Sequence, residues 1–147
     1  MTIVIGLGNL LRADDGVGAH VVRRMAEELP GVEAVDLSTS DIDILDHIRG
    51  RDRVFIVDAI VTGAEPGTIR RLEPGELVAA DFLSHGMNLS SVFRLGSELY
   101  PDEMPGEVII LAVEAEDISS FTEQLTEKVA SAVPRLIEMV REELTRA

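Results

Sequence analysis

Val54-Phe55-Ile56-Val57-Asp58 decides the fold. Its four apolar residues leave no polar face, so a strand built from them must be covered on both sides. That pattern belongs to a parallel strand in mid-sheet with helices above and below it. Val108-Ile109-Ile110-Leu111-Ala112-Val113 is a second run of the same kind and predicts a second interior strand.

Around these two runs, short apolar stretches alternate with helical periods. Ile3 to Gly6 predicts the first strand. Val17, Val21, Met25 and Leu29 recur every four residues, which places them on one face of a helix that Pro30-Gly31 stops. Val32 to Leu37 alternates and predicts the second strand. Ser40, with Asp43 three residues on, resembles a capping box. It predicts a short helix carrying Ile42, Leu45 and Ile48 that ends at Gly50. Thr68 to Leu72 predicts another strand, only about seven residues after Asp58-Ala59-Ile60. A parallel crossover needs a dozen or more, so this strand should run antiparallel to the third. Leu89, Val92, Phe93 and Leu99 mark a third helix that stops before Pro101. Val129, Val133, Leu136, Val140 and Leu144 mark the last one, where Pro134 predicts a kink or a displaced start. The expected fold is an α/β three-layer sandwich of about five mostly parallel strands with one antiparallel strand and helices on both faces. Residues 1–147 should form a single domain.

Composition narrows the function. Apolar residues make up 46% and charged residues 27%, which is globular and not disordered. The formal net charge of −14 repels nucleic-acid phosphate and anionic lipid, arguing against both as main partners. Cysteine is absent, which removes disulfides, thiolate metal sites and a cysteine nucleophile, and fits a reducing cytoplasm. The N-terminus has no basic region before its apolar residues, so no signal peptide is expected, and no apolar run approaches membrane-spanning length.

In sheets of this type, ligands bind beyond the carboxyl ends of the strands. The first strand runs there into Gly6-Leu7-Gly8-Asn9-Leu10-Leu11-Arg12-Ala13-Asp14-Asp15-Gly16-Val17-Gly18, the second into Asp36-Leu37-Ser38-Thr39-Ser40 and the third into Asp58. Gly6-x-Gly8 invites a dinucleotide-binding reading, with Asp36 as the ribose-binding acid. However, the third glycine of that fingerprint would fall at Leu11, and Asp14 and Asp15 would stand where a pyrophosphate needs a positive helix end. Asp14 is expected to cap the first helix. Capping needs one carboxylate, which leaves Asp15 to face water or hold a cation. Asp58 ends a strand expected in mid-sheet, and a buried charge is paired or binds metal. Its plainer role is a cap or a bond to loop amides.

Of the three histidines, His20 lies on the first helix and is expected at its boundary with solvent. His47, beside Asp46, is expected to be solvated. His85, in Ser84-His85-Gly86-Met87-Asn88, precedes the third helix. Asp15, Asp58 and His85 together would make a two-carboxylate, one-imidazole set that suits nickel, zinc, manganese or iron. Ser84 sits in no G-x-S-x-G elbow and adjoins His85, so a serine nucleophile is not expected. Hydrolysis by the two carboxylates themselves is a further option.

The opening run Gly6 to Gly18 resembles the signature of the nickel–iron hydrogenase maturation endopeptidases. So do Val57-Asp58-Ala59, Pro66-Gly67-Thr68-Ile69, Ser84-His85-Gly86-Met87 and the strand Glu107 to Val113. The resemblance spans almost the whole chain. It implies a cytoplasmic endopeptidase that removes a C-terminal extension from the hydrogenase large-subunit precursor after nickel insertion. It also implies that Asp15, Asp58 and His85 bind the metal, with Asp15 and Asp58 as catalytic groups. The metal would be nickel carried by the substrate, with another divalent ion able to take its place. One departure stands out. Leu37-Ser38-Thr39 follows Asp36 where the family usually has two glycines, which bears on how closely a substrate backbone can approach. A nucleotide-binding domain and a non-catalytic metallochaperone or docking module for the precursor are the alternative readings.

Overall fold

In the computed structural model, the described residues are 1–37, 43–79 and 86–146. In chain order they form β1 (Thr2–Gly6), a 3-10 turn (Ala13–Gly16), α1 (Val17–Glu28), β2 (Glu33–Asp36), α2 (Asp43–Ile48) and β3 (Arg53–Ile60). Then come β4 (Ile69–Leu72), a second 3-10 turn (Pro74–Ala79), α3 (Gly86–Leu99), β5 (Glu107–Glu114) and α4 (Glu127–Thr145). The five strands lie in the order β2-β1-β3-β5-β4. All neighbours are parallel except β4 and β5. β4 thus runs against β3 as the short connection requires, but it pairs with β5.

The apolar runs β3 and β5 are interior because both of their faces are covered. Val54, Ile56 and Ile60 pack with Ile44, Leu45 and Ile48 of α2 and with Leu89, Val92 and Phe93 of α3. Phe55, Val57 and Ala59 pack on the other side with Val17, Val21 and Met25 of α1 and with Val129, Val133, Leu136, Ile137 and Val140 of α4. Side chains alternate along a strand, so Asp58 shares the α2/α3 face with Ile56 and Ile60.

Two expectations need correction. Pro134 does not displace the start of the last helix, which runs from Glu127 to Thr145. Its ring lies on the exposed face, as does Ala130, whose carbonyl loses its helical donor there, and water can serve that carbonyl. Leu99 is not on a buried face: it is 55% exposed in the last turn of α3. The expected cap Ser40 and the helix residue Ile42 lie outside the described residues.

What places the carboxyl edge is the fit of α1 onto β1 and β3. Gly6 pairs with Val57, and the Leu7 amide donates to the Val57 carbonyl at 2.9 Å. The first turn of α1 presses on this junction backbone to backbone. A Cβ added at Gly18 would meet Leu7 N, Leu7 O and Val57 O, each at 2.7 Å. None of these atoms can swing aside. Gly18→Ala should therefore lift α1 from the sheet and destabilise the protein by about 2 kcal/mol or more, read from the urea midpoint.

Candidate active site

Asp15 lies in the 3-10 turn Ala13–Gly16, all four of whose residues are buried. Its Oδ2 accepts the Asn9 amide at 2.8 Å. The loop can wrap this tightly because Gly8 has φ +106°, and a Cβ there would stand 2.0 Å from the Asp15 carbonyl oxygen. Ala13 at φ 50° is the one non-glycine residue with positive φ among the described residues. A conformation of that kind persists only where its surroundings over-determine it. Here they do so through the chain before α4. The Ala13 amide donates to Thr122 O at 2.9 Å, the Asp14 amide to Asp117 O at 2.8 Å, and the Thr122 amide to Leu11 O at 3.0 Å.

Asp14 completes this clamp, and its expected role is corrected. The N-cap of α1 is Gly16, with no side-chain cap. The Asp14 carboxylate, 0% exposed, points the other way. It accepts the amides of Glu116 (2.8 Å), Asp117 (3.0 Å) and Thr126 (2.8 Å) and the Thr126 hydroxyl (2.8 Å). Thr126 is the N-cap of α4, so Asp14 ties the opening turn to the start of the last helix. The donors lie about a hundred positions away in sequence, which is why reading along the chain assigned Asp14 to its own helix.

Asp58 is also 0% exposed. Its Oδ1 accepts the Ala59 amide at 2.8 Å, while Oδ2 is buried with no hydrogen-bond partner among the described residues. Burial pushes its carboxyl well above the usual carboxylate range. The bond from Ala59 acts against that rise, and the nearby Asp15 charge adds to it. The Asp15 charge is thus close enough to act on the Asp58 carboxyl. His85 lies outside the described residues, and among those residues no three His, Cys, Asp or Glu side chains gather to hold a metal.

His20 is partly buried on α1, with Nε2 2.8 Å from Glu123 O, and His47 is partly exposed on α2. The dinucleotide reading loses ground, because buried acids occupy the turn that leads into α1. Sequence reading missed Glu114, which is 2% exposed at the end of β5. Its Oε2 accepts the Thr62 amide at 2.8 Å and Oε1 accepts the Thr62 hydroxyl, which fixes the turn after β3. The signal was available, since Glu114 ends an apolar run just as Asp58 does.

Comparison with known proteins agrees with this geometry. The sequence model described as hydrogenase maturation protease matches residues 19–143. That segment begins after the opening motif. The hydrogenase expression/formation protein HupD of Thiocapsa roseopersicina is 28% identical over 98% of this chain and 67% of its own length. The hydrogenase 2 maturation protease of Escherichia coli is 28% identical over 94% of this chain and 87% of its own. The structure of the hydrogenase maturating endopeptidase HybD from E. coli superposes with a TM-score of 0.81, at 26% identity, covering 97% of this chain and 91% of that one.

Two of the buried aspartates, Asp14 and Asp58, should respond oppositely to amidation. Asp14→Asn turns an N–H donor onto donors and should destabilise the protein by about 3 kcal/mol. Asp58 keeps its proton in the folded state at pH values where the unfolded chain, with a carboxyl pKa near 3.9, has released it. Wild-type stability therefore falls as pH rises through that window. Asp58→Asn removes this loss, so its stability relative to wild type should rise by up to about 1.4 kcal/mol per pH unit above pH 4. Denaturation at pH 4, 6 and 8 measures both.

Proposed function

The chain belongs to the hydrogenase maturation protease family, hydrolases that act on peptide bonds, and on that premise we propose its specific reaction. It removes the C-terminal extension of a nickel–iron hydrogenase large-subunit precursor, in the cytoplasm, after nickel has been inserted. The metal arrives in the substrate, and Asp15, Asp58 and His85 take hold of it there.

The observation that carries this reading is the unpartnered Oδ2 of Asp58, buried beside Asp15 at the carboxyl end of a central strand. A buried carboxylate oxygen without a donor is costly, and a divalent cation supplies what it lacks. Oxygen donors with one imidazole suit nickel, and another divalent ion can occupy the same set. Asp15 is held ready for that role by Asn9 and by the braced turn around it. Nickel so held fixes the precursor's tail over the two aspartates, where Asp15 and Asp58 orient water toward the scissile carbonyl. Positioning of this kind can account for much of the acceleration. No helix among the described residues is long and apolar enough to cross a membrane.

Cleavage of nickel-loaded and nickel-free precursor tests the reading. Only the loaded form should be processed, and equal processing of both would defeat the nickel handle. Asp15→Asn, Asp58→Asn and His85→Ala should each lower kcat/KM by about a hundredfold. A precursor that binds but is never cut would favour the docking-module reading.

A further inference from the structure

Five large apolar side chains are exposed among the described residues: Met1, Leu11, Val61, Leu99 and Phe121. Met1 and Leu99 lie at the amino edge of the sheet, near the starts of β3 and β5. Leu11, Val61 and Phe121 lie on connections at the carboxyl edge, where Asp15 and Asp58 are. Scattered exposed apolar residues are ordinary. Leu11 and Phe121 differ in how firmly they are held and in what surrounds them.

Phe121 is 83% exposed, yet the irregular segment that carries it is fixed along its length. Asp117 Oδ1 accepts the amides of Ser119 at 2.9 Å and Ser120 at 3.0 Å, which folds the chain just before Phe121. Thr122, just after it, bonds to both Leu11 and Ala13 and forms a parallel bridge with Arg12. His20 meets the Glu123 carbonyl. The buried Asp14 carboxylate directs all of its hydrogen bonds to the two ends of this segment, at 116–117 and 126. The aromatic ring is thus displayed on a braced support, beside Leu11 (42% exposed) in the loop that leads to Asp15.

We propose that Leu11 and Phe121 form an apolar anchor for the hydrogenase large-subunit precursor, on the rim of the Asp15–Asp58 site. The inference rests on the function proposed above. A protein that brings a peptide bond to those aspartates must also cover the rim next to them. A rigid aromatic loses little freedom on binding, and a central apolar contact ringed by charge is the usual form of a strong one. The ring here is mainly acidic, with Arg12 and Lys128 as exposed basic exceptions. Glu116, Glu123 and Glu127 are exposed around the segment, in a chain of net charge −14. The matching face on the precursor is an apolar pocket bordered by Lys and Arg. A second copy of this chain would set these carboxylates against one another.

The test measures affinity for the nickel-loaded precursor at low and high salt. It compares wild type, Phe121→Ala, Leu11→Ala and the distant control Leu99→Ala, with melting midpoints as a check of folding and Phe121→Leu as a milder second variant. Phe121→Ala should weaken binding by about tenfold or more and Leu11→Ala by about threefold, with Phe121→Leu between wild type and Phe121→Ala. Leu99→Ala should match wild type, and wild-type affinity should fall as salt rises. Wild-type affinity in the Phe121 and Leu11 variants, an equal loss in Leu99→Ala, or a dimer in sedimentation that Phe121→Ala dissolves would overturn the anchor. If the precursor is still cleaved in those cases, the peptidase reading stands. A wild-type chain that neither binds nor cuts the precursor overturns that reading and the anchor with it.

Discussion

A carboxylate removed from water must find donors or a cation, and the carboxyl edge of this sheet is arranged around that requirement. Four acids there are almost wholly buried: Asp14, Asp15, Glu114 and Asp58. Both oxygens of Asp14 are bonded to the segment before α4, and both oxygens of Glu114 to the turn after β3. These two explain themselves as braces. Asp58 has one oxygen on its own neighbour's amide and the other on nothing. The same physics that makes Asp14 and Glu114 structural holds the Asp58 carboxyl well above the usual carboxylate range.

The braces also explain why the site has its shape. The opening loop has to leave β1, pass Gly8 with positive φ, turn through Ala13 in a strained conformation and still enter α1 in close contact with the strands. Bonds within the loop, such as that from the Asn9 amide to Asp15, are joined by others from outside it. Asp14 helps hold that path by joining the loop to the N-cap of α4, and it braces residues 116–126 in return. Rigidity at Asp15 and display of Phe121 are therefore two results of one buried side chain.

Much of the fold could be read along the chain. The two-sided apolar runs at Val54 and Val108 located the interior strands. The short link from Ile60 to Thr68 forced β4 to turn back, and Pro30-Gly31 ended α1 where it does end. Of the kink or displaced start expected at Pro134, the displaced start does not occur, because a proline on the solvent side of a helix, with an exposed carbonyl a turn earlier, does not oblige the helix to begin elsewhere. Leu99 misled because a period of apolar residues does not say which turn of the helix outlasts the sheet beneath it. In the candidate site, Asp58 was singled out from its place at a strand end and Asp15 from its place before a helix, whereas Glu114 carried the strand-end signal and was passed over.

The sequence by itself determined the alternation of strands and helices, the direction of each strand and the edge at which acids collect. All of these follow from periodicity and connection length, which are local properties. Only the tertiary structure decided the strand order β2-β1-β3-β5-β4, the donors that meet Asp14 and the oxygen of Asp58 that meets none. Those are settled by groups far apart in the chain, such as Asp14 and Thr126, separated by 112 positions. No local pattern encodes which distant amide arrives at a given carboxylate, because packing of the two helical layers on the sheet chooses it.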